Sequence, residues 1–200
     1  MVKTHITLQI VLAVVFLIHA TLAYADPAAP LHSSPEECLG RLCISDMKLT
    51  ENVFVDKYGK GFIKEEYDLT LHCYIFPKEH VFFEAGFDHS THLPMRFFLS
   101  RESACADHSP ISVNLSTFKT GAGIELGAAE DEVSGRYGRP TRIDDSIQRE
   151  KRDHRYRDTD LATRFGAKVY VYLKGGNELL DTSFYFTNGK LRSILISTED

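Results

Sequence analysis

Along residues 67–76 the chain alternates, with Tyr67, Leu69, Leu71, Cys73 and Ile75 on one parity and Asp68, Thr70, His72, Tyr74 and Phe76 on the other. A period of two predicts a half-buried strand. Pro77-Lys78-Glu79-His80 supplies a turn, residues 81–87 a second strand, and residues 95–100 a third after the polar loop 88–94. The same rhythm returns late in the chain over residues 168–174, 179–186 and 191–198. Gly175-Gly176-Asn177 separates the first two of these, and Asn188-Gly189 predicts a tight type I′ hairpin between the last two. Two short stretches instead carry apolar pairs four residues apart, Phe54 with Tyr58 and Val133 with Tyr137, which puts each pair on one face of a helix. Gly59 and Gly138 stand where left-handed C-caps belong, and Pro140 follows the second. Thr50 is placed to cap the first helix; Ala129, at the matching place, cannot cap the second, where Glu130 and Asp131 favour the helix dipole instead.

Laying residues 49–62 over the segment Gly123–Thr141 without a gap aligns Tyr58-Gly59-Lys60 with Tyr137-Gly138-Arg139, and Met95-Arg96-Phe97-Phe98-Leu99 resembles Leu191-Arg192-Ser193-Ile194-Leu195. The expectation is an α+β fold of two tandem repeats, each a short helical segment packed on a three- to four-stranded antiparallel sheet. The first repeat is assigned to residues 38–105, a linker to 106–120 and the second repeat to 121–200.

The chain's beginning reads differently. Lys3 precedes an uncharged apolar run over residues 6–20, and Ala23-Tyr24-Ala25 offers small residues at a cleavage position, so residues 1–25 read as a signal peptide. That run is shorter than a spanning helix and lacks a basic flank, so no membrane anchor is expected in the mature chain. Residues 26–37 hold three prolines and read as a flexible leader. The whole chain carries a net charge of −5, and losing Lys3 makes the acidic excess one larger, which argues against nucleic acid or an anionic membrane as main partner. Four cysteines, Cys38, Cys43, Cys73 and Cys105, lie in the first half. In an exported chain they read as two disulfides, with Cys38 to Cys43 or Cys43 to Cys73 both open. A periplasmic or secreted location follows.

The run Gly-Ile-x-Leu-Gly from Gly123, the helix bearing Val133, Tyr137-Gly138-x-Pro140-Thr141 and the closing Phe184-Tyr185-Phe186-Thr187-Asn188-Gly189-Lys190-Leu191 together resemble the repeat unit shared by β-lactamase-inhibitory protein and the small lipoprotein of the outer-membrane β-barrel assembly machinery. The likeness covers most of residues 123–198 and, more loosely, 49–100. It implies helical segments packed on antiparallel sheet and a protein that binds other proteins without catalysis. The lipoprotein's anchoring cysteine has no counterpart here.

Candidate chemistry is sparse. Asp88, His89 and His92, with His80 and His108 nearby in sequence, compose a polar loop whose alternative reading is a metal site of nitrogen and oxygen ligands. No Gly-x-Ser-x-Gly is present, the adjacent Glu65 and Glu66 point to opposite faces of a strand, and Gly121-Ala122-Gly123 lacks the Lys-Ser/Thr of a phosphate loop. Accordingly no catalytic residue, metal or cofactor is assigned. Residues 149–158 mix five basic with three acidic groups, either a solvated loop or a dock for an acidic patch. If Leu69, Leu71, Val169, Val171, Phe184 and Phe186 face the core, then Tyr74, Phe76, Tyr170, Tyr172 and Tyr185 face away and form an aromatic surface suited to gripping a protein. The expected function is an exported, non-enzymatic protein-binding module, an inhibitor or envelope accessory factor. A cell-envelope assembly factor and a small metal-dependent enzyme are the alternatives.

Overall fold

A computed structural model describes residues 36–103, 105–145, 168–174 and 179–199. The expected signal peptide, nearly all of the expected leader and the charged run 149–158 lie outside the described residues.

The first described elements are two-residue strands, β1 (Cys38–Leu39) and β2 (Leu42–Cys43), which pair antiparallel and are closed by the Cys38–Cys43 disulfide. Helix α1 (Glu51–Tyr58) follows, then β3 (Phe62–Glu66), β4 (Leu69–Phe76), β5 (Val81–Asp88) and β6 (Pro94–Ser100). A two-residue strand β7 (Ser109–Pro110) and a short 3-10 turn (Leu115–Thr117) lead to helix α2 (Glu130–Tyr137). Strands β8 (Arg142–Asp145), β9 (Lys168–Lys174), β10 (Leu179–Thr187) and β11 (Lys190–Glu199) complete the order.

These strands make one sheet. Its path is β3-β4-β5-β6-β11-β10-β9-β8, antiparallel at every step, and β7 lies parallel to β4. The middle seam joins β6 to β11 from Ser193↔Ser100 to Ser197↔Arg96. Where those strands meet, Ser100 and Ser193 bond through their hydroxyls at 2.7 Å, so small polar side chains let two otherwise apolar strands close without an orphaned donor. Asn188 and Gly189 both take positive φ (52° and 72°) at the β10–β11 turn, as the type I′ hairpin requires.

The expected α+β architecture of two tandem helix-plus-sheet repeats is therefore corrected. The fold is mostly β: two eight-residue helices stand against a single nine-stranded sheet among the described residues. Pairing of β6 with β11 is the physical reason, because two separate small sheets would each expose an edge at Phe97–Leu99 and Ile194–Ile196, and those residues are instead buried side by side. Alternation does not mark the short β7, inside the expected linker, or β8; of β3 only Glu65 and Glu66 were placed on a strand.

Both helices and the segment from Ile111 to Leu126 lie over one face, here termed the helix face. Phe54, Tyr74, Phe76, Phe83, Phe87, Phe97, Phe118, Val133, Tyr137, Tyr170, Tyr172, Phe184 and Ile194 form its core. Aromatic burial of this extent dominates the stabilisation, each large ring contributing about 2–3 kcal/mol relative to exposure. On the far face a smaller cluster joins Phe98, Val169, Val171, Tyr185 and Leu195, and another gathers Leu71 and Leu69 around the Cys73–Cys105 disulfide. The two bridges settle the pairing as Cys38 with Cys43 and Cys73 with Cys105, so Cys43 does not reach Cys73.

Candidate functional site

The five aromatic residues expected on an open face are all buried. Tyr74, Phe76, Tyr170 and Tyr172 belong to the helix-face core, and Tyr185 alone lies on the far face, in the cluster with Phe98 and Val171. The assignment of faces is thus inverted on β4 and β9, where Leu69, Leu71, Val169 and Val171 point away from the helices and Tyr74, Phe76, Tyr170 and Tyr172 point toward them, while on β10 Phe184 and Phe186 face the helices and Tyr185 faces away as expected. What reverses the expectation is the use made of each hydroxyl. Tyr74 donates to the carbonyl of Gly59 at 2.7 Å, and Tyr172 donates to the carbonyl of Gly138 at 3.1 Å. Those carbonyls end α1 and α2, whose cap glycines have φ of 84° and 77°. A tyrosine under a helix end buries its ring and satisfies an orphan carbonyl at once. Burial pushes the Tyr74 hydroxyl strongly up and that of Tyr172 up to about 12, so both remain donors.

The other end of each helix is held by its first residue. Glu51 of α1 accepts from His72 Nε2 at 2.8 Å and from His92 Nδ1 at 3.1 Å. Burial pushes the Glu51 carboxyl up, but the two imidazole hydrogen bonds outweigh it and leave it below the usual carboxylate range. Glu130 of α2 accepts from Tyr170 at 2.9 Å and from the Lys168 ammonium. That bond raises the Lys168 ammonium above its usual range. Neither helix uses a side-chain N-cap: Thr50 makes no capping bond, contrary to expectation, nor does Ala129. Hairpin backbone substitutes, through Glu51 N–H donating to the His92 carbonyl and through the Ala129↔Lys190 bridge.

The loop histidines diverge. Asp88 Oδ1 accepts from the backbone and hydroxyl groups of Ser90 and Thr91, which holds its carboxyl far below the usual range. His89 turns to Glu65 at 2.7 Å while His92 turns to Glu51, so the loop is tied to β3 and α1 and its side chains do not converge. Among the described residues no group of three or more His, Cys, Asp or Glu is arranged to hold a metal ion. A serine–histidine contact joins Ser103 Oγ to His108 Nε2 at 2.6 Å, beside the Cys73–Cys105 bridge. Burial lowers the His108 imidazole, against a smaller opposite pull from Asp107. Ser103 also donates to the Cys105 carbonyl at 2.8 Å and accepts from its N–H at 3.0 Å. A single hydroxyl proton serves one acceptor, so with the carbonyl satisfied His108 Nε2–H is the donor and the pair stabilises a turn.

The accessible apolar surface lies elsewhere. Among the described residues, Met47 (69% exposed), Val53 (49%), Phe62 (37%), Ile63 (36%) and Tyr67 (70%) are five of the seven exposed large apolar side chains, and all five fall between residues 47 and 67. They sit on the lead-in to α1, on α1 itself, on β3 and in the β3–β4 turn. Strand β3 ends the sheet, paired only with β4 among the described residues. Its charges are already engaged: Lys64 bonds Glu66 at 2.7 Å, Arg96 lies 3.6 Å from Glu66, and His89 and Thr70 take Glu65. This surface was missed because the alternation begins beyond it; the one available signal was Phe62-Ile63 standing directly ahead of Lys64-Glu65-Glu66. No protein-family model, curated protein or solved structure matches the chain.

Proposed function

We propose that this chain is an extracytoplasmic protein that acts by binding another protein, without catalysis, through the surface carried by residues 47–67. An inhibitor or envelope accessory factor, periplasmic or secreted, is the concrete form. The observation that carries the reading is the concentration of exposed apolar side chains on α1 and the terminal strand β3, since a folded chain gains nothing for itself by leaving them in water. Both disulfides support the location, because such bridges persist in oxidising compartments. No helix among the described residues is long and apolar enough to cross a membrane.

The test is capture from the native extracytoplasmic extract on immobilised protein, wild type beside Val53→Asp and Tyr67→Asp. Both side chains are exposed, so the variants should keep the wild-type melting temperature and lose the captured partner. Retention of the same partner by both variants would refute the assignment of the surface.

A further inference from the structure

We infer that β3 pairs antiparallel with β3 of a second copy of this chain, in a register centred on Ile63. The inference rests on the reading of residues 47–67 as the binding surface and names the occupant of its strand edge.

Register carries the case. A two-fold axis normal to the sheet keeps each residue on its own face, so partners across the axis must share parity and the pairing must centre on a residue. Centring on Phe62 sets Lys60 against Lys64, and centring on Lys64 sets two Lys64 ammonium groups opposite one another with Phe62 against Glu66. Both arrangements oppose like charges or waste the apolar contact. Centring on Ile63 sets Ile63 against Ile63, Phe62 against the stem of Lys64, and Lys60 against Glu66, twice each for the unlike pairs. Both exposed apolar residues of β3 then meet an apolar group or an aliphatic stem, Lys60 meets its opposite in Glu66, Glu65 faces Gly61, and no like charges are opposed.

The surroundings are compatible with this. Lys60, Phe62 and Ile63 are exposed, and Lys64 keeps 39% of its side-chain surface, so none must leave a buried site to pair. Glu66 already lies between Lys64 and Arg96, and in this register Lys60 of the second copy approaches the same carboxylate. Lys64 then acts as a register selector: it penalises the two neighbouring registers and is harmless in the third.

Sedimentation velocity of the purified protein over a wide concentration range should show a reversible dimer. Ile63→Lys places two ammonium groups face to face and should weaken association by at least about tenfold, roughly 1.4 kcal/mol, with an unchanged circular dichroism spectrum. Under mild oxidation Ile63→Cys should give a covalent dimer and Lys64→Cys should not; this arm decides the matter should Ile63→Lys fold poorly. A protein monomeric throughout with no Ile63→Cys cross-link, or one in which Lys64→Cys links preferentially, overturns the inference. Capture of a different protein that is lost in Val53→Asp would leave the binding reading standing after such a failure, whereas a dimer with no change of capture in Val53→Asp and Tyr67→Asp would sink the wider reading alone.

Discussion

Helices α1 and α2 solve one problem with different chemistry. Each lies on the same face of the sheet, each is fixed at its end by a tyrosine reaching a cap glycine's carbonyl, and each is fixed at its start by a glutamate at its first position. The difference is in what that glutamate meets. Glu51 meets two imidazoles, one of them on the buried His72 between Phe54 and Phe87, whereas Glu130 meets a phenol and an ammonium. The anchoring side chain differs as well: α1 buries Phe54 against Tyr58, Tyr74, Phe83 and Phe87, and α2 buries the smaller Val133 with Tyr137, which packs on Tyr172 and Phe184. Geometry at a helix end can thus be kept while the titration behaviour of the contact is exchanged.

The largest break in this comparison comes from the cores. Phe54→Ala should cost about 3–5 kcal/mol and Val133→Ala less, about 1–3 kcal/mol, in urea unfolding, because the lost volume and the residual cavity are greater for the ring. An equal or reversed cost would mean that α1 does not depend on its aromatic anchor. Next come the helix ends: Tyr74→Phe and Tyr172→Phe each remove one hydrogen bond, with a loss of about 1 kcal/mol, the larger at Tyr74, whose hydroxyl is the more strongly shifted by burial. The smallest effect is expected at Thr50. With no side-chain cap bond to lose, Thr50→Ala should change stability by less than about 0.5 kcal/mol, against the ~1 kcal/mol typical of a working cap. A full capping loss would show that the hairpin backbone does not hold the N-terminus of α1.

Much of the strand layout was legible in sequence. Alternation located the regions of β4, β5, β6, β9, β10 and β11, and Asn188-Gly189 located their last hairpin, because period and turn chemistry are local properties. Similarity between residues 49–62 and the segment Gly123–Thr141 falls on the two helices and their cap glycines. Nothing local states which face a helix will cover. Parity places the tyrosines outward once Leu69, Leu71, Val169 and Val171 are taken as core, and only the spatial neighbourhood of Gly59 and Gly138 shows that a buried tyrosine hydroxyl is satisfied there. His72-x-Tyr74 and Tyr170-x-Tyr172, each a donor pair two residues apart on one strand face, were the available trace of both clamps. Nor could alternation reveal that β6 and β11 join, since pairing between distant strands depends on edges that a period does not specify.

The two helices are latched to one sheet by titrating groups, of which Glu51 fails in acid and Lys168 in alkali. Glu51 is depressed below its usual 4.5, so its contribution is full above that value and is lost as pH falls through the lower folded one. Lys168 is raised above its usual 10.5, so its contribution is full below that value and is lost as pH rises through the higher folded one. The direct measurement is the urea midpoint of wild type, Glu51→Gln and Lys168→Met across the whole pH range in which the protein folds. The deficit of Glu51→Gln should shrink at the acid end and persist at the alkaline end, and that of Lys168→Met should shrink at the alkaline end; a Glu51→Gln deficit lost in alkali, or a Lys168→Met deficit that persists there, would contradict the account.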